Sequence, residues 1–93
     1  MKLRLTAPAA RDLDEIIGYY VSAAPLQASR FADEIERVFA RLGEHPRSSQ
    51  ATDMPSIRRA TVNRFPYAVF YTIEASEAIV LHIRHASRRP WRE

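Results

Sequence analysis

Leu3 and Leu5 alternate with charged neighbours in KLRLT (2–6), the two-residue period of a short strand. From Pro8 the period lengthens. Leu13, Ile16, Ile17, Tyr20, Val21 and Ala24 recur at i, i+3, i+4 and i+7, which predicts an amphipathic helix. Pro8 suits its first turn, where a missing N–H costs nothing, and Asp12, Asp14 and Glu15 are expected to serve its positive N-terminal end. AAP (23–25) stops this helix, and Pro25 opens a second apolar stripe of Ala28, Phe31, Ala32, Ile35, Val38, Phe39 and Leu42. Gly43 is the expected C-terminal cap, and Asp33 with Arg37 an i, i+4 pair. Helices joined this tightly are expected to pack as an antiparallel hairpin.

HPRSSQATDMP (45–55) has no period and is expected to be a loop. The two-residue period then returns in three predicted strands, IRRATVN (57–63), YAVFYTIE (67–74) and AIVLHIRHA (78–86). Arg64, Phe65 and Pro66 turn the first into the second, and Ala75–Ser76–Glu77 makes a hairpin of the last two. On the middle strand Tyr67, Val69, Tyr71 and Ile73 share a face against Ala68, Phe70 and Thr72. On the last, Ile79, Leu81, Ile83 and His85 share one against Val80, His82 and Arg84. The order β-α-α-β-β-β predicts an α+β fold, a helical hairpin packed on one face of a small, mostly antiparallel sheet.

At 93 residues the chain has room for one core, so residues 1–93 are expected to form a single domain. A hydrophobic content of 46% with only two glycines favours a packed, regular fold over disorder. No cysteine is present, which excludes disulfides and thiolate metal sites and suits a reducing cytoplasm. MKLRLTAPAARDLDE meets charge too early for a signal peptide, and no apolar run reaches membrane length.

Charge sharpens this picture. Residues 8–45 hold four Arg against seven Asp and Glu, whereas residues 57–93 hold seven Arg against three Glu. A basic second half fits either a solvated face or a surface that meets an acidic partner, whether nucleic acid or protein. His82 and His85 do not read as a metal pair, because i and i+3 on a strand point to opposite faces, and no carboxylate lies close in sequence. None of the serines has the Gly-flanked turn of a hydrolase nucleophile, and Gly18 and Gly43 alone cannot build a phosphate loop. Phe65, Tyr67, Phe70 and Tyr71 alternate with aliphatic residues, which favours sheet packing over a base-stacking platform.

The arginines carry more information. Arg58 and Arg59 are adjacent on a strand and project to opposite faces; Arg64 sits in a turn; Arg84, Arg88, Arg89 and Arg92 cluster at the end of the last strand and beyond. Guanidinium groups pair bidentately with carboxylate or phosphate, so this cluster beside His85 and Trp91 suits recognition of either. Metal-free RNA cleavage needs a base, a proton donor and cations. Cations abound here, but His85 is the only clear near-neutral candidate in this region and no second proton-transfer group is evident, so binding is favoured over catalysis.

Three segments in this order resemble the RelE/ParE superfamily of type II toxin–antitoxin toxins. APAARDLDEIIGYYVSAAPLQASRFADEIERVFARLGEHP is similar to the family's helical hairpin, closing on Leu42 and Pro46 four residues apart. IRRATVNRFPYAVFY resembles its strand segment, and LHIRHASRRP its last strand with a His followed by basic residues. The resemblance implies a cytoplasmic toxin that forms a tight complex with a small antitoxin and reaches operator DNA only through it.

RelE-like members cut mRNA on the ribosome, whereas ParE-like members bind DNA gyrase without being nucleases. The RelE pattern has an Arg after the strand Tyr, where this chain has Ala68 after Tyr67. It has lysines where Arg59 and Thr61 stand, and a C-terminal Tyr, which is missing after Tyr71. The resemblance therefore implies the ParE-like branch, with no cofactor and no metal. Its expected target-binding residues are Arg58, Arg59, Arg64, Arg84, His85, Arg88, Arg89 and Trp91. The alternative is an mRNA interferase acting through Arg59, Arg64, His85 and Arg88 or Arg89.

Overall fold

The structure, a computed structural model, describes residues 1–87. Its elements are β1 (Lys2–Leu5), α1 (Ala7–Ala23), α2 (Pro25–Glu44), β2 (Gln50–Ala51), β3 (Arg58–Thr61), β4 (Tyr67–Glu74) and β5 (Glu77–His85). The sheet runs β1-β5-β4-β3-β2; β1 pairs with β5 in parallel and the other pairings are antiparallel. The expected α+β arrangement is present, with one addition: Gln50–Ala51, within the expected loop, pairs with Arg58 and Arg59.

Thr6 sets the start of α1. Its hydroxyl accepts the Ala9 N–H at 3.3 Å, which satisfies one of the donors a helix N-terminus leaves open. Asp12 therefore lies in the helix's second turn rather than its first, and its work is not with the helix dipole. Ala24 alone links the helices, with Pro25 in the first turn of α2. Gly43 lies inside α2 and not beyond it, because the helix continues to Glu44; a Cβ at Gly43 would meet the Met1 carbonyl oxygen at 3.4 Å. The salt bridge on α2 joins Arg37 to Glu34 at 2.9 Å instead of to Asp33.

Both helices cover the same face of the sheet. Phe31, Ile35, Val38 and Leu42 of α2 pack against Val69 and Tyr71 of β4 and Val80 and Ile83 of β5. Tyr71 is fully buried and donates its hydroxyl to the Pro46 carbonyl, tying the exit of α2 to the centre of the sheet. α1 is less deeply set: Leu13, Ile16, Ile17 and Tyr20 are half-buried, and Val21, expected in its apolar stripe, is exposed. A second cluster of Ile57, Ala68 and Phe70 lies on the opposite face of the sheet.

The last strand departs from simple alternation. Phe70 pairs with His82 but Tyr71 pairs with Val80, so Leu81 is an extra residue, a β-bulge. Val80 and Ile83 consequently face the helices together, and His85, opposite Tyr67, joins them. His82 and Arg84 sit opposite Phe70 and Ala68 on the other face. The expected grouping of Ile79 and Leu81 with Ile83 and His85 is thereby corrected: the bulge shifts the phase by one residue.

The β4–β5 hairpin closes with two residues, since Glu77 pairs with Glu74. Ala75 and Ser76 both have positive φ, 45° and 69°, as in a type I′ turn that favours Asn-Gly. A left-handed conformation costs a residue with a Cβ on the order of 1 kcal/mol. Ala75→Asn with Ser76→Gly is therefore expected to stabilise the fold by about 1 kcal/mol in urea titration. A lower midpoint would contradict this turn geometry.

Candidate target-binding site

β1 pairs with β5 only over Glu77–Val80, so the edge of β5 beyond Val80 lacks a strand neighbour on that side. Two side chains at the start of α1 occupy it. Thr6 donates its hydroxyl to the Val80 and Leu81 carbonyls, at 3.0 and 3.1 Å. Asp12 Oδ2 accepts the Ile83 N–H at 3.0 Å and lies 3.0 Å from His82 Nδ1 and 3.7 Å from Arg84 Nε. Asp12 is thus both the missing strand partner and the counter-charge for Arg84. No local sequence signal marks it, because its partners lie some seventy residues away.

Below this clamp an open cleft of about 700 Å³ lies between α1 and the end of β5. Asp12, Glu15 and Ile16 line one side, and Tyr67, Arg84 and His85 the other. The His85 ring packs edge-on to Tyr67, centroids 6.0 Å apart, and its Nδ1 lies 2.9 Å from the Ser87 hydroxyl. Tyr67 is held in turn by Phe31, whose ring also meets Phe65 and Tyr20 at 5.2 and 5.7 Å. Burial against this cluster, then the neighbouring Tyr67 phenol, raises the Tyr20 hydroxyl above its ordinary 10.0. The neutral phenol is the form the fold favours, so this contribution is complete below pH 10 and lost at higher pH, where unfolded chains ionise first.

The expected site residues separate into two ends of the sheet. Arg64 sits in the β3–β4 turn, and Ala86 N–H bonds the Pro66 carbonyl at 2.8 Å, which brings that turn beside Arg84 and His85. Arg58 and Arg59 open β3 at the other end, opposite Tyr71 and Phe70. Arg58 faces the helices and spends its guanidinium on the Arg47 and Ser49 carbonyls at 3.2 and 2.9 Å, fixing the loop before β2. Arg59 lies on the opposite face, its Nε buried and without a hydrogen-bond partner among the described residues. Arg59 and His85 therefore project from opposite faces of the sheet, which does not bring them to one centre. His82 and His85 likewise diverge, and no group of three His, Asp or Glu among the described residues is placed to hold a metal ion. Arg88, Arg89 and Trp91, also expected at the site, lie outside the described residues, as does Arg92.

Chemically the end formed by Arg64, Arg84, His85 and Ser87 offers cations, donors and an aromatic floor for an acidic partner. Among the described residues no helix is long and apolar enough to cross a membrane.

Comparison with known proteins bears on the family and the fold. Residues 3–90 match the family model of the ParE toxin of the type II toxin–antitoxin system parDE. A chain of the chromosomal ParDE toxin–antitoxin system from Pseudomonas aeruginosa (P. aeruginosa) superimposes with a TM-score of 0.81 at 26% identity, over 91% of this chain and 95% of that one. A chain of the RelBE2 toxin–antitoxin complex from Mycobacterium tuberculosis shares the fold, with a TM-score of 0.61 at 21% identity over 90% and 88%. No curated protein matches.

Removing the Asp12 carboxylate leaves the Ile83 N–H at the part-buried edge of β5 without its acceptor, a loss of about 1–3 kcal/mol. Asp12→Ala is expected to show it in urea unfolding, while Asp12→Asn, which keeps an acceptor oxygen, loses less. Equal and negligible effects of the two would show that the clamp does not hold β5.

Proposed function

The chain belongs to the ParE toxin family of type II toxin–antitoxin systems, and from that premise we propose that it is a cytoplasmic toxin that binds and blocks DNA gyrase. A cognate antitoxin neutralises it by laying a helix or strand across the hairpin and sheet surface, a recurrent way of recognising a fold of this kind. The match to ParE along nearly the whole chain is the observation that carries this reading. The P. aeruginosa chain, from a toxin–antitoxin system, supports the antitoxin partner.

The site geometry supports binding as the mode of action. Cations and His85 gather at the turn end of the sheet, where they meet an acidic surface directly. Cleavage of mRNA through Arg59, Arg64 and His85 would require convergence on one phosphate, and Arg59 projects from the face opposite His85.

Purified chain is expected to inhibit gyrase supercoiling in a dose-dependent way, and added antitoxin to restore it. Arg84→Glu or His85→Glu should raise the inhibiting concentration about tenfold or more, as loss of a charged contact at the centre of an interface does. Arg47→Glu, the same charge reversal in the exposed loop at the other end, should leave it unchanged. Undiminished supercoiling at saturating toxin would overturn the proposal. Codon-specific cuts on translating ribosomes, lost in His85→Ala, would replace it with the nuclease.

A further inference from the structure

The face of the sheet turned away from the helices carries a buried apolar strip. Ala68 and Phe70 of β4 and Ile57, just before β3, are 0, 2 and 9% exposed. The hydrophobic side chains packed against them are Leu81 and Ala86, themselves only partly buried. Both helices lie on the other face, so neither accounts for the burial of a whole phenyl ring here. Phe70 is engaged by a partner, and so is Asp53, in the loop that Thr52 N–H closes onto the Ile57 carbonyl at 3.2 Å.

The surroundings of the strip specify what fits on it. Arg59 and His82 stand either side of Phe70 in one cross-strand row, and Arg84 stands beside Ala68 in the next. Arg59 Nε is buried without a hydrogen-bond partner. A guanidinium in that state has no acceptor in its plane, and it is suited to lie against the face of an aromatic ring. A second cation would be repelled by Arg59 and Arg84, and an aliphatic side chain would leave the guanidinium unserved. An indole offers area to Phe70 and a π-face to Arg59 together.

We propose that residues 88–93 fold back across this face as a latch, with Trp91, the one tryptophan of the chain, seated on Phe70 and against Arg59. The path begins on the correct side. Ala86 N–H is held by the Pro66 carbonyl at 2.8 Å, and its side chain already packs on the strip. The reach is sufficient: four residues from Ser87 to Trp91 span up to about 14 Å when extended, and β3 lies about 10 Å from β5 across β4. Pro90 favours an extended Arg89 and so a straight run. Charge agrees at the far border, where Asp53 stands within reach of the arginines of RRPWRE. Trp91, expected from sequence to meet a target, is then spent on the chain's own sheet. The latch does not depend on the gyrase reading, whose cleft at His85 opens on the helix side.

The test uses the full chain and the intrinsic fluorescence of Trp91. Emission is expected to be blue-shifted, and acrylamide quenching weaker, than in the same chain unfolded in urea. Phe70→Leu and Arg59→Gln should each move both readings toward the unfolded values while circular dichroism stays native; Arg11→Gln, on α1, should move neither. Nuclear Overhauser contacts between the indole and the Phe70 ring in the unaltered chain provide a measurement that no substitution can confound. Emission and quenching equal to those of the unfolded chain, or absence of those contacts, would overturn the inference. So would a blue shift that vanishes on dilution, since the indole would then sit on a second copy. No gyrase is present, so failure here leaves the supercoiling result standing, and the reverse holds too.

Discussion

One extra residue, Leu81, determines how the last strand meets the helices. Under unbroken alternation Ala78 and Val80 would be followed on the helix face by His82 and Arg84, and an imidazole and a guanidinium would lie beneath α1. Charge buried without full pairing is costly, so such a strand would not seat. The bulge shifts the phase, places Ile83 in the core, and sends His82 and Arg84 to the opposite face. The short β1 leaves the edge of β5 beyond Val80 open, and α1 closes that edge from its N-cap and second turn. Thr6 takes the Val80 and Leu81 carbonyls into its hydroxyl's reach, and Asp12 accepts the Ile83 N–H. Bulge and clamp depend on each other, and together they fix His85 and Arg84 at the rim of the cleft.

The aromatic cluster extends that rigidity to the other chain segments at the same end. Phe31 is fully buried and touches Tyr20, Phe65 and Tyr67, one ring from each of the elements that converge there. Edge-on contacts of this kind fix orientation as well as area. Tyr67 supports His85 from below, and Phe65 holds the turn that carries Arg64. The cations at this end are therefore mounted on a packed base, and little ordering remains when a partner arrives, which is the condition for tight recognition.

Periodicity made most of the architecture legible. The stripe Ala28–Phe31–Ile35–Val38–Leu42 is the buried face of α2, and Tyr67, Val69, Tyr71 and Ile73 share the helix side of β4. Such patterns depend on neighbours in sequence and survive folding unchanged. What stayed hidden depends on distant partners. Asp12 reads like any acidic residue near a helix start, and only the edge left bare by the short β1 gives it a role. The bulge at Leu81 is invisible because VLHIR alternates acceptably in either phase. Gly43 suggested a cap, but the close Met1 carbonyl explains it without ending the helix. At the site, spacing correctly divided Arg58 from Arg59 and His82 from His85. It gave no sign that Arg58 is engaged by the Arg47–Ser49 loop.

At the turn end of the sheet the bulge, the clamp and the aromatic cluster together hold Arg64, Arg84 and His85. Hydrogen exchange of the chain with and without bound gyrase measures this directly. Protection on binding is predicted at residues 64–67 and 83–87, with the Arg47–Arg59 end unchanged. Protection confined to that other end, with the turn and the end of β5 exchanging as in the free chain, would contradict the account.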